Sequence, residues 1–305
     1  MAVNPRAIVL YDANDVPISV TDGSAIPAGT DGLLATGKDK NASARILVTS
    51  QQGLPYISPI EIAAGDGTIS TGLVGFAAGK RATSATGYVQ IITSGNTQPA
   101  ANGQRSVKSS SANDTSAGSG VRTLRLTYYS ISGSTVTGPF TEDISMNGTT
   151  AVNTSSSTIA FVERMDALTI GSLPSASTIT VFTNTGGTGA AINTMTATEY
   201  RSSDALHYVP SGLNCYIKDL LITSSVANTG FPAFDVRWKD LGTANAAYRI
   251  LYKEVRAQGS VNSLFLDFDV PAKVPGPAEI SFWVNPPTTA AQTAYVESTF
   301  IEVPS

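Results

Sequence analysis

The sequence predicts an all-β protein, with an extended N-terminal region followed by two antiparallel β-sandwich domains of Ig-like or jelly-roll-like type. Three observations carry this. Apolar and polar residues alternate with period two in one segment after another, as in strands with a single wet face. Gly, Pro, Asn and Asp punctuate those segments with turn chemistry. The chain is rich in residues suited to a pleated surface, Thr, Val, Ile and Tyr, with 36 Thr among 305 residues, and windows of helical period are scarce.

Taken in order, the first strand candidates are short and far apart: Ala7 to Leu10 and Arg45 to Val48. Asp, Gly, Pro and Ala dominate this part, which buries little by itself and is expected to order by packing on neighbours. Residues 96–120 are rich in Ser, Gly and Asn and read as a loop or linker. Leu124, Leu126 and Tyr128 then alternate with Thr123, Arg125 and Thr127. Asn147-Gly148 suits a two-residue hairpin turn, because both positions must take positive φ; Ser132-Gly133 and Asp66-Gly67 are weaker cases. Ser157 to Leu168 has ambiguous period that composition tips toward strand, and Thr194 to Tyr208 has room for a short helix.

Further on, Phe234, Val236 and Trp238 alternate with Asp235, Arg237 and Lys239. Leu264, Leu266, Phe268 and Val270 oppose Asp267 and Asp269; Ile280, Phe282 and Val284 oppose Ser281 and Asn285. Pro139, Pro174, Pro210, Pro232, Pro271, Pro275 and Pro277 fall at the ends of apolar runs, where a missing N–H breaks no ladder. A softer break lies near Pro210-Ser211-Gly212. The expected domains are therefore 1–112, 113–210 and 211–305.

Composition excludes several functions. Only 14% of residues are charged and the net charge is −4, so there is no basic excess to neutralise nucleic-acid phosphates. With 42% hydrophobic residues, most of the chain is not disordered. No stretch approaches the roughly 20 apolar residues of a membrane helix, and no secretory signal is visible, so synthesis in a cytoplasm is expected. His207 and Cys215 are the single histidine and cysteine, too few for a Cys/His zinc site or a disulfide within the chain.

The catalytic constellations fail one by one. Residues 72–81, GLVGFAAGKR, lack the glycine at 74 and the hydroxyl at 81 that a phosphate loop needs, and read as a flexible glycine-rich turn. Gly118-Ser119-Gly120 lacks the third glycine of a dinucleotide site. His207 and Cys215 are eight residues apart, too far for a catalytic pair unless the chain doubles back; they read as a surface or interface histidine and a small buried thiol. Glu142, Asp143, Asp267 and Asp269 fit solvated faces better than a glycosidase acid pair. Asp12-Ala13-Asn14-Asp15 begins like a calcium loop but runs into Val16-Pro17, and reads as a turn. Tyr128, Tyr129, Tyr248, Tyr252, Trp238 and Trp283 could stack on sugars or bases, but such residues more often fill sandwich cores and subunit seams. No catalytic, cofactor-binding or metal residue is assigned, and no cofactor is expected.

Several segments are similar to structural proteins of tailed bacteriophages. They are Ile8 to Asp12 with Val16 to Val20, Ala25 to Thr30 and Gly37 to Asp39; Thr115 to Leu124 with Phe140 to Ile144 and Met146 to Val152; and Val209 to Gly212 with Val274 to Pro277. The resemblance implies a non-enzymatic virion component made in the host cytoplasm: a head decoration or fibre, or a neck, collar or tail accessory protein. On this view the N-terminal region anchors to capsid, portal, neck or tail proteins while the β domains project outward. It also implies a homo-oligomer, with a trimer favoured. Alternatives are an adhesion module binding host-surface glycans and, third, a polysaccharide depolymerase. Neither nucleic acid nor membrane is an expected partner.

Overall fold

The computed structural model describes residues 10–11, 17–18, 73–83, 87–225, 232–256, 263–268, 271–285 and 292–305. The chain divides into two units, residues 1–71 and 72–305. In the first, β1 (Leu10–Tyr11) pairs antiparallel with β2 (Pro17–Ile18). The candidate calcium residues Asp12 to Asp15 between them lie outside the described residues, as do Ala7, Arg45 to Val48, Asp66-Gly67 and Asp269.

The second unit is all-β, and every strand pair in it is antiparallel, as the alternation predicts. It opens with β3 (Leu73–Thr83) and β4 (Val89–Gln90). Then come β5 (Ser106–Ser109), β6 (Val121–Ser132), β7 (Thr135–Ser145), β8 (Val152–Asn153), β9 (Phe161–Ile170), β10 (Ile179–Phe182) and β11 (Ala191–Met195). These seven build a middle sandwich, with β11-β10-β5-β8 as one sheet and β7-β6-β9 as the other. Between the sheets sit Leu124, Leu126, Val162, Met165, Ile179, Val181 and Ile192, all fully buried.

The chain continues as β12 (Leu206–Val209), β13 (Leu213–Ile217), β14 (Asp219–Ser224), β15 (Ala233–Asp240), β16 (Arg249–Val255), β17 (Ser263–Asp267), β18 (Lys273–Pro275), β19 (Ala278–Asn285) and β20 (Gln292–Pro304). These form an outer sandwich. Its five-stranded sheet runs β12-β19-β15-β16 with β4 also on β19, and its six-stranded sheet runs β17-β14-β20-β13-β18 with β3 also on β20. Phe234, Val236, Ile280 and Phe282 from one sheet meet Ile217, Leu220, Ile222 and Phe300 from the other.

The middle sandwich is inserted into the outer one. The chain leaves after β4 and returns at β12, and both of these strands pair with β19. The two crossings are joined where Ala205 N donates to Ile91 O at 2.8 Å. A third apolar cluster, Tyr129, Val136, Ala160 and Phe161 against Leu206 and Tyr208, closes the junction. Pairing thus runs across both positions, 112 and 210, at which composition divides the chain: β3 and β4 join the outer sandwich, and β5 joins the middle one.

Several local expectations are corrected. Residues 72–81 are not a flexible turn, because Leu73 onward is an eleven-residue strand. Its glycines let other backbone and side-chain atoms approach: a Cβ on Gly79 would lie 2.5 Å from Ser203 O, and one on Gly75 2.8 Å from His207 Cε1. Residues 96–120 are not a bare linker. They contain β5, and the buried Asp114 accepts Val121 N at 2.8 Å, Ala176 N at 3.0 Å and Ser109 Oγ at 2.6 Å. Thr194 to Tyr208 holds no helix; β11 ends at Met195, and the segment before β12 is tied to β3 through Lys80 N donating to Ser203 O.

The β6–β7 hairpin turns at the weaker signal, Ser132-Gly133, where Gly133 has φ +59°. Asn147-Gly148 instead lies where the chain crosses between the two sheets of the middle sandwich, with Gly148 N bonded to Asp114 O at 2.7 Å. Pro139 sits inside β7, but β7 is an edge strand and its register shifts against Tyr128 and Ser130, so no ladder bond is lost there.

Candidate functional site

Three features of the second unit have the make of functional surfaces. The first is the outer face of the six-stranded sheet. Register places Phe265 opposite Leu221, Leu221 opposite Glu297, and Tyr295 two residues from Glu297, so all four share one face. Val74, opposite Ile301, lies on it too. Val74, Phe265 and Tyr295 are 66%, 60% and 42% exposed. Large apolar side chains gathered on one face are what a protein partner covers. Beside β20 on its other edge lies β3, which pairs with it along all of Leu73–Thr83.

The second is a polar cleft of about 280 Å³ where the middle sandwich meets the five-stranded sheet, lined by Asn96 and Gln98 on one wall and Lys239, Tyr248 and Glu279 on the other. Glu279 accepts the Tyr248 hydroxyl at 2.5 Å, and Lys239 Nζ lies 3.4 Å from its second oxygen. Burial beside that carboxylate holds the Tyr248 phenol protonated well beyond its usual range. Asp204, also lining the cleft, accepts Thr93 N at 2.6 Å and Asn96 Nδ2 at 2.7 Å. Burial outweighs those bonds and the charge of Arg81, and pushes its carboxyl up to about 6. Next to the cleft the Trp283 indole packs edge-on to Tyr248 at 5.3 Å, and the Arg237 guanidinium lies over the rings of Tyr88 and Trp283 at 4.8 and 4.5 Å. Both carboxylates are already engaged by neighbours, so the cleft offers recognition groups rather than a free acid and base.

The third is centred on His207. It is not a surface residue but 2% exposed. The chain doubles back at Ser211-Gly212, where Gly212 has φ +80° and lies between β12 in one sheet and β13 in the other. His207 and Cys215 therefore face each other inside the outer sandwich, and Glu302 is the register partner of Cys215. His207 Nε2 lies 3.1 Å from Glu302 Oε1, and Nδ1 lies 3.3 Å from Glu163 Oε2 on β9. The imidazole stacks on Phe300 at 4.3 Å with 4° between the planes. Burial disfavours the imidazolium, but the two carboxylates outweigh it and hold the histidine pKa well above its usual value. Burial pushes the Cys215 thiol up.

The remaining residues singled out from sequence scatter. Asp143 is held by Arg125 at 2.7 and 2.8 Å, Glu142 accepts Ser155 N and Ser156 N, and Asp267 pairs with Lys218. Tyr128 packs on Phe140, Tyr129 on Tyr208, and Tyr252 on Phe268. Glu163, Asp204, Glu279 and Glu302 were missed. For Glu302 a signal exists, since it continues the inward parity of Val296, Ser298 and Phe300.

Among solved structures, the chain is similar to the VP2 subviral particle of infectious bursal disease virus. Identity is 9% and the TM-score 0.23, over 78% of this chain and 73% of that one. It is similar also to the Gx strain of the same virus, at 9% identity and a TM-score of 0.22, over 81% and 78%. No family model and no curated protein matches the chain. Likeness at those TM-scores carries no argument about mechanism.

Proposed function

We propose that the chain is a non-enzymatic structural protein of a tailed-bacteriophage particle, with its N-terminal region, up to residue 71, anchoring it to capsid, neck or tail proteins and the β domains projecting as a decoration, fibre or spike. The observation that carries this is the pairing of a body joined by a buried apolar junction with an exposed apolar sheet face. Such a body works by interface burial, for which about 800 Å² per partner suffices. A homo-oligomer, with a trimer favoured by the resemblance, covers that face. The low charge, 14% of residues, limits the desolvation cost of such contacts. Deleting residues 1–60 is expected to abolish incorporation into particles while leaving the β-rich circular dichroism of the remainder intact. Unchanged incorporation defeats the anchor.

The cleft supports a second reading as a host-glycan adhesion module. Amide, hydroxyl and carboxylate groups ring it and the Trp283 indole stands next to it, the mixture that saccharide hydroxyls and ring faces recognise. A glycan array probed with the oligomer tests this. Silence of the wild type, or signal that survives Tyr248→Ala, removes it.

A further inference from the structure

We propose that His207 Nε2, Cys215 Sγ and Glu302 form a structural site for one divalent transition-metal ion of the zinc class, with Glu163 orienting the histidine from behind. Three different donor chemistries, from β12, β13 and β20, converge with their ligand atoms within 4.8 Å of one another. Around a tetrahedral zinc the donors stand about 3.3–3.5 Å apart, so the cluster closes on an ion by small side-chain rotations. Glu302 can bind through one oxygen or through both; bound through both it gives three residues four donor atoms, in a distorted rather than a regular tetrahedron.

Two further observations point the same way. His207 Nδ1 is fully buried and completes no hydrogen bond, although Glu163 Oε2 lies 3.3 Å away. With a metal on Nε2, the neutral tautomer carries its proton on Nδ1, and Glu163 becomes the carboxylate that accepts it. This carboxylate–histidine–metal relay fixes ring orientation at metal sites generally. The second observation is charge. Glu163 and Glu302 are 6% and 3% exposed, and among the described residues no Lys or Arg ion-pairs with either. Two buried carboxylates beside a histidine and a thiol make a pocket that attracts a cation. A dication held by a Cys215 thiolate, the Glu302 carboxylate and a neutral imidazole is itself a neutral centre, and the Glu163 carboxylate accepts the Nδ1 proton in a hydrogen bond together with that of Tyr208 N, 3.2 Å away. The thiol proton, and any proton on Nε2, leave to solvent as the metal–sulfur and metal–nitrogen bonds form.

All the ligands are buried, so the ion has no open face for a substrate and acts as a staple. Its ligands lie in the outer sandwich and Glu163 in the middle one, so it fastens the inserted sandwich to its host. Gly75 leaves room for the ring, since a Cβ there would lie 2.8 Å from His207 Cε1.

The test uses the full chain, stripped with chelator and titrated with Co²⁺, then Zn²⁺. Because Cys215 is the only cysteine, a sulfur-to-cobalt charge-transfer band in the wild type itself identifies the site, whatever happens to variants. The expected result is one equivalent of Co²⁺ with that band, displaced by Zn²⁺. Cys215→Ser loses the band, and Glu163→Gln keeps it while binding about 10–100-fold more weakly. Failure of the folded wild type to bind either ion at micromolar concentration, or cobalt binding without the charge-transfer band, overturns the proposal.

Discussion

Charge is buried in two ways in this molecule. In the middle sandwich, Arg105 and Asp114 are 5% and 0% exposed, and among the described residues neither is ion-paired. Arg105 donates to the carbonyls of Ile159 at 3.0 and 2.6 Å, Thr183 at 2.6 Å, and Ala101, while Asp114 takes up two backbone N–H groups and a serine hydroxyl. At the junction with the outer sandwich, by contrast, ionisable side chains face one another: His207 between Glu163 and Glu302, and Asp204 in a cleft shared with Glu279. A charge bound to backbone fixes loops that lack a ladder of their own. A group bound to other side chains stays open to protons and ions, because its partners can change state.

Breaking the backbone-bound kind has the largest expected effect. Arg105→Met keeps the stem but takes the guanidinium donors from the Thr183 and Ala101 carbonyls and leaves Ile159 O with Gly103 N alone, at about 1–3 kcal/mol for each group left short. A loss of about 4 kcal/mol in urea unfolding is expected, and a loss below about 1 kcal/mol contradicts the account of this region.

The junction is probed by pH. The Asp204 carboxyl sits at about 6, above the usual carboxylate range, because burial penalises its charge. Facing it are Arg81 on β3 and the Tyr208 phenol on β12. The folded protein therefore holds this proton more tightly than the unfolded chain, so its contribution to stability is full below about pH 4 and is lost as pH rises through about 6. About 3 kcal/mol is at stake over that window. Stability curves of Asp204→Asn are expected to be flatter there than those of the wild type; parallel curves refute the assignment.

Smaller effects follow at the contact between β3 and the segment before β12. Gly79→Ala forces a methyl against Ser203 O and Ala205 N, backbone atoms that cannot swing away, and should cost about 2 kcal/mol. The smallest effect belongs to an exposed pair. Arg125→Ala removes a two-pronged contact with Asp143 on the surface of the middle sandwich, and no measurable change in melting temperature is expected.

Much of the fold was legible in the sequence because alternation is local. Leu124 to Tyr128 and Phe234 to Trp238 sit in strands where period two puts them. The insertion of one sandwich in the other was not legible, because it depends on β4 and β12 meeting on β19, and no neighbouring residues encode that meeting. Glycine spacing misled at residues 72–81 for a physical reason: glycine serves close packing in a strand as well as freedom in a turn. The His207 centre was hidden by eight residues of sequence that fold back at Gly212, and by acidic partners from β9 and β20.

The central claim is that this body works by having its exposed sheet face covered by other copies. Native mass measurement of the full chain at micromolar concentration tests it most directly. A homo-oligomer is expected, falling to monomer in Phe265→Asp with an unchanged circular dichroism spectrum. A wild type that stays monomeric, or an oligomer indifferent to Phe265→Asp and Tyr295→Asp together, contradicts it.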